Sequence, residues 1–157
     1  SLFQETLARV ADRTRYAAPL VVANAAHEQL CLEELEGEPA TLVLEPLARN
    51  TAAAIAMAAV VVAERDPDAL LLVMPSDHVI GRVSDFHEAV GLAQRAAQAG
   101  RLVTFGIQPT APETGYGYLE AGEPIEGVDG ARTVARFTEK PDRQTAEQML
   151  ATGRYYW

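Results

Sequence analysis

Residues 41–78, TLVLEPLARNTAAAIAMAAVVVAERDPDALLLVMPSDH, decide the fold class. Thr41, Leu42, Val43 and Leu44 make a short apolar run closed by Glu45 and Pro46, which reads as a strand. Residues 51–64 follow, rich in alanine and apolar on nearly every side, and predict a helix pressed closely onto a sheet. Residues 69–74 are an unbroken apolar run ending at Pro75, as suits a parallel strand covered on both faces. Strand, helix, strand in one stretch is the repeating unit of an α/β sheet.

The flanking sequence extends this pattern. Leu2, Phe3, Leu7 and Val10 place a helical stripe on residues 1–13, which is expected to be already under way at the first residue. Residues 19–23 read as a short buried strand, and residues 27–35 as a helix closed by Gly37. Asp85 with Glu88 makes a capping box for a helix ending at Gly100, and residues 102–107 read as the next strand. Beyond Pro112 the texture loosens: residues 116–121 and 133–138 alternate as paired strands do when one face is more exposed. Asp142 opens a last helix and Gly153 stops it. The expected architecture is a three-layer α/β domain with a mixed, mostly parallel sheet, formed by residues 1–157 as part of one domain.

Bulk properties narrow the function classes. A chain of 157 residues is about one domain, and 48% hydrophobic with 22% charged residues is ordinary for a globular protein. A net charge of −9 without a dense arginine cluster argues against a nucleic-acid surface. The single cysteine, Cys31, excludes an internal disulfide and reads as a small packed residue. No signal peptide opens the chain and no uncharged apolar run is long enough to span a membrane, so the expected compartment is the cytoplasm.

Chemistry concentrates in four polar islands placed where apolar strands run out. In the first, Glu45 can accept hydrogen bonds from a base or ribose. Arg49, Asn50 and Thr51 then precede the alanine-rich helix, whose free N–H groups and positive dipole end favour an anionic ligand. Asn50 offers both donors and an acceptor for a nucleobase edge, although a helix cap alone would explain Asn50 or Thr51. In the second, Asp77 lies just past the end of a strand, where ligands of open α/β sheets sit. A carboxylate there can hold Mg²⁺ together with water and substrate phosphates, while a turn aspartate is the plainer alternative. His78 beside it does not make a zinc centre. In the third, Gly115, Tyr116 and Gly117 open a strand on which two glycines would let a flat ligand approach the backbone. In the fourth, Glu139 could bind two sugar hydroxyls and Lys140 a sugar phosphate. Lys140 is the only lysine, against twelve arginines, and lysine is the compact point charge of the two.

These islands, in this order, resemble bacterial mannose-1-phosphate guanylyltransferase. The likeness runs through Leu44, Glu45 and Pro46, through Arg49 to Ala52, and through Pro75 to His78. It continues through Phe105 to Ile107, Glu113 to Tyr118, Phe137 with Glu139 to Pro141, and Tyr156 with Trp157. It implies a Rossmann-like nucleotidyltransferase domain that joins GTP and mannose 1-phosphate into GDP-mannose, with Mg²⁺ as cofactor. On that basis Asp77 would bind the metal and Arg49, Asn50 and Thr51 would lie near the nucleotide. Gly115, Tyr116 and Gly117 would border the sugar, Glu139 would bind its hydroxyls and Lys140 its phosphate. Asp77, Gly117, Glu139 and Lys140 are expected to line one cleft.

Three features depart from the family's pattern. Its glycine-rich loop, with an arginine and a nearby lysine, does not precede Ser1, and its second metal-binding aspartate does not follow Trp157. Ala53 stands where proline is common. The chain therefore reads as an internal piece, inactive by itself, whose exposed strand edge favours a homo-oligomer or a covering partner. Two alternatives remain at the level of sequence. One is a nucleotidyltransferase for another base or sugar; the other is a catalytically silent binding domain of the same fold. A dinucleotide-binding oxidoreductase is disfavoured, because no Gly-x-Gly-x-x-Gly follows any strand.

Overall fold

The computed structural model describes residues 1–47 and 50–157, which form two compact units, Ser1–Val83 and Ser84–Trp157. The first unit opens with helix α1, Leu2–Ala8, capped by the Ser1 hydroxyl, which accepts from the Gln4 backbone N–H at 3.3 Å. Strands β1, Leu20–Asn24, and β2, Thr41–Glu45, pair in parallel, from Leu20 opposite Thr41 to Asn24 opposite Glu45. The Thr41 N–H also donates to the Pro19 carbonyl at 2.9 Å. Between the strands, a 3-10 turn at Ala25–His27 leads into α2, Glu28–Leu35, capped by Glu36 at φ +50° and followed by Gly37 at φ +83°. That left-handed turn is where glycine is expected. Helix α3, Asn50–Ala63, packs on β1. Only Ala58 of this helix is buried, whereas Val60 is 62% exposed. The predicted packing of this helix on a sheet is thus made through β1, while much of its apolar surface is not buried within this unit.

Residues 69–74 depart from expectation. They have no regular secondary structure, and Leu70, Leu71 and Val73 are exposed. A strand requires a neighbour to complete its backbone hydrogen bonds, and among the described residues none pairs with this run.

Helix α4, Val83–Gln98, leads into the second unit. It begins before Asp85, so this residue lies in the first turn, near the positive end of the helix, rather than at the predicted cap. Strands β3, Tyr118–Pro124, β4, Arg132–Thr138, and β5, Tyr155–Tyr156, form an antiparallel sheet in the order β4-β3-β5. Leu119 faces Phe137 on one side and Tyr156 on the other. Helix α5, Arg143–Thr152, follows β4; its cap, the Asp142 carboxylate, accepts from the Thr145 N–H at 2.7 Å, and Gly153 closes it at φ +67°. Tyr118 and Ala146, both fully buried, form the core with Met149 and Tyr155, and Trp157 packs against them. The strand predicted at residues 102–107 reduces to one reciprocal pair: Ile107 and Trp157 exchange two backbone hydrogen bonds of 2.9 Å. A Cβ on Gly106 would lie 2.8 Å from the Tyr156 Cβ, so only glycine allows this approach.

The α/β class is as predicted. The parallel and antiparallel parts of the expected mixed sheet are present as a two-stranded and a three-stranded sheet. No helix among the described residues is long and apolar enough to cross a membrane.

Candidate functional site

The second unit gathers five of the residues singled out by sequence. Buried Tyr118 donates its hydroxyl to the Glu113 carbonyl at 2.8 Å and so ties the two ends of the loop that carries Gly115, Tyr116 and Gly117. The Lys140 N–H donates to the Tyr116 carbonyl at 3.2 Å, which joins this loop to the corner after β4. The Tyr116 ring meets Trp157 edge to face, with centroids 5.2 Å apart. A Cβ on Gly117 would fall 2.6 Å from the Phe137 ring and 3.1 Å from a Glu139 carboxylate oxygen. The absence of a side chain at Gly117 thus leaves room for Glu139.

Lys140 itself has φ +43°, a left-handed conformation that is unfavourable for a lysine and more so just before a proline. Pro141 is buried and Asp142 caps α5, so the surrounding structure holds this corner from both sides. The Lys140 ammonium lies 3.5 Å from a Glu139 carboxylate oxygen, and both side chains are more than half exposed. A pair this open contributes little to stability. A ligand with its own anion and hydroxyls can therefore take over either partner at small cost.

Two residues along β3 from Tyr118, Glu120 stands opposite Tyr155 and accepts from the Tyr155 hydroxyl and from Arg154, each at 3.0 Å. Burial first, then the Glu120 carboxylate, raises the Tyr155 pKa above its ordinary value. The stability this neutral phenol contributes is present below the usual tyrosine range and is lost as pH rises through the raised value. Asp142 moves the other way. The Thr145 backbone N–H, then the Thr145 hydroxyl, lower its pKa, so its contribution is present above the usual carboxylate range and is lost as pH falls through the lowered value.

In the first unit, Glu45 ends β2 half-buried, opposite Asn24. Asn50 is the first residue of α3 with φ +63°, a left-handed value that asparagine tolerates, and Thr51 follows it exposed. Arg49 lies outside the described residues. Asp77 is exposed in the turn that follows the apolar run. Among the described residues no cluster of three or more histidine, cysteine or carboxylate side chains is placed to hold a metal.

The structure also contributes a residue that the sequence pattern does not single out. Arg9, at the end of α1, is only 7% exposed. It donates through Nε to the Glu5 carbonyl at 3.2 Å, through Nη2 to the Thr6 hydroxyl, and through Nη2 to the His78 carbonyl at 3.0 Å. A signal was present: Thr6 and Arg9 stand four and seven residues after Leu2, so polar groups share one helix face with an apolar residue.

Comparison with known proteins gives consistent matches along the whole chain. It is 50% identical over 160 residues to the xanthan biosynthesis protein XanB of Xanthomonas campestris pv. campestris, covering all of this chain and 33% of that protein. It is 45% identical over 163 residues to a mannose-1-phosphate guanylyltransferase of Klebsiella pneumoniae, covering 34% of that protein. The chain thus spans about a third of the length of these curated relatives. Among solved structures, a mannose-1-phosphate geranyltransferase from Thermus thermophilus superposes with a TM-score of 0.84 at 34% identity, over 99% of this chain and 44% of that one. The family model for nucleotidyl transferases matches residues 1–157, and with the α/β fold it shows that the chain belongs to the nucleotidyl transferase family.

Proposed function

We propose that this domain joins GTP and mannose 1-phosphate into GDP-mannose with release of pyrophosphate, a step that supplies polysaccharide biosynthesis. The observation that carries the reading is the exposed Glu139–Lys140 pair beside Tyr116 and Gly117. It occurs in a chain similar along its whole length to proteins named mannose-1-phosphate guanylyltransferase. In the reaction, an oxygen of the sugar phosphate attacks the α-phosphorus of GTP in line and the bond to pyrophosphate breaks. Such transfers depend on positioning and charge more than on covalent catalysis. Lys140 neutralises the sugar phosphate and Glu139 accepts from the mannose hydroxyls, with Tyr116 and the two glycines bordering the ring. Glu45, Arg49, Asn50 and Thr51 hold the nucleotide.

Asp77 is the residue that would hold Mg²⁺. One exposed carboxylate fits this ion, which keeps most of its water and takes further oxygens from substrate phosphates. Bound there, the metal would supply charge neutralisation for the phosphates. Asp77→Asn in the full-length gene product is expected to lower Mg²⁺-dependent pyrophosphate release by roughly 10²–10³-fold, the scale of losing one preorganised electrostatic group. Wild-type rates for that variant would remove Asp77 from the site, and absence of GDP-mannose from the wild-type reaction would remove the reading itself.

The reading places the protein in the cytoplasm, where its nucleotide substrate is made, and includes self-association. Leu70, Leu71 and Val73 in one unit and Leu102 and Ile107 in the other are apolar and exposed, and such surface favours contact with another molecule. Sedimentation velocity on residues 1–157 is expected to show a mass that grows with concentration; a monomer throughout the accessible range would dismiss the homo-oligomer.

A further inference from the structure

We propose that Arg9 is a positioning residue: its guanidinium fixes the turn at residues 75–78 and thereby the place of the Asp77 carboxylate. This rests on the reading of Asp77 given above. A buried cation is costly unless it is paired, and an aliphatic side chain could fill the same space without that cost. Yet among the described residues no carboxylate lies within ion-pair distance of Arg9. Its partners are neutral oxygens. Two of them, on Glu5 and Thr6, belong to α1 itself. The third is the carbonyl of His78, the residue next to Asp77 and 69 positions away in the chain.

Little else holds the turn. Asp77 and His78 are exposed and Val79 is 74% exposed, so apolar burial contributes little there. An open groove of about 270 Å³, lined by Glu5, Ala8, Arg9, Ile80 and Val83, runs between α1 and the segment after the turn, so the two are not tightly packed along it. Among the described residues, the Arg9 bond is the one hydrogen bond that reaches residues 75–80 from elsewhere in the fold. Segments with few buried contacts open easily, so one charge-assisted bond can decide how well the turn is ordered.

The test compares the wild-type full-length gene product with Arg9→Met and Arg9→Lys, by limited proteolysis with a protease of broad specificity and by the Mg²⁺ concentration that gives half-maximal pyrophosphate release. Losing a hydrogen bond from a charged donor is expected to speed cleavage within residues 75–80 about tenfold in Arg9→Met, because cleavage follows the population of the opened turn. Residues 20–24 and 41–45 should keep their wild-type resistance. The half-saturating Mg²⁺ concentration should rise by a similar factor while the rate at saturating metal changes less. Arg9→Lys, which keeps the charge, should lie between the two and serves alone if Arg9→Met does not fold. Unchanged cleavage at 75–80, or a uniform rise across the first unit, overturns the proposal. A loosened turn with wild-type Mg²⁺ dependence overturns the link to Asp77. A wild-type protein inactive with GTP and mannose 1-phosphate sinks the guanylyltransferase reading instead, and the cleavage data still judge the Arg9 bond.

Discussion

Lys140→Ala is expected to lower kcat/KM for mannose 1-phosphate by roughly 10²–10³-fold in the full-length gene product, with GTP binding little changed. This is the only lysine of the chain, and its ammonium meets a single exposed carboxylate at 3.5 Å. A phosphate approaching the Gly115–Gly117 loop would find that charge beside it. The variant should fold as well as the wild type. The side chain is 63% exposed, and alanine is no worse than lysine at the same left-handed backbone angle. A loss of activity would therefore report on charge and not on unfolding. Lys140→Arg should recover part of the loss at most, because a planar fork does not occupy the position of a compact ammonium. Pyrophosphate release measured against mannose 1-phosphate concentration decides the matter, and wild-type kcat/KM in the alanine variant would take Lys140 out of the sugar site.

The largest effect on stability is expected at Tyr118. This side chain is completely buried among Ala146, Met149 and Tyr155, and its hydroxyl holds the Glu113 carbonyl. Tyr118→Ala removes a ring from a packed core, a change that costs about 3–5 kcal/mol in comparable cores. A domain of ordinary stability holds only about 5–15 kcal/mol in total, so the variant should lose a large part of that stability and unfold at a clearly lower urea concentration. Tyr118→Phe keeps the ring and loses one hydrogen bond, for which about 0.5–1.5 kcal/mol is expected. Trp157, the single tryptophan, packs against this cluster and supplies the fluorescence signal for urea unfolding. If the alanine variant unfolds at the same urea concentration as the wild type, the core is not where these contacts place it.

Much of the fold could be read from local pattern. The runs that became β1 and β2, the loosely alternating pair that became β3 and β4, and the Asp142-to-Gly153 helix all carry their own punctuation in sequence. Residues 69–74 and 102–107 are as apolar as any strand, but a strand also needs a partner edge. Hydrophobicity does not specify which edge is present, and among the described residues the second run pairs only with Trp157, through Ile107. The sugar-side candidates Gly115, Tyr116, Gly117, Glu139 and Lys140 were legible as residue types, and the structure brings them to one corner. Arg9 was not legible in that way. Its decisive contact is with a backbone carbonyl 69 residues on, and backbone groups leave no mark in a sequence.

The left-handed backbone at Lys140 has a consequence for anyone seeking to harden this domain. Glycine or asparagine would sit there with less strain. A screen for heat tolerance would therefore favour discarding the lysine, and on the proposed reading the survivors would be sturdier and inert. Durability and chemistry compete for the same position. A catalyst with this fold keeps its ammonium only where selection tests the product and not the melting point.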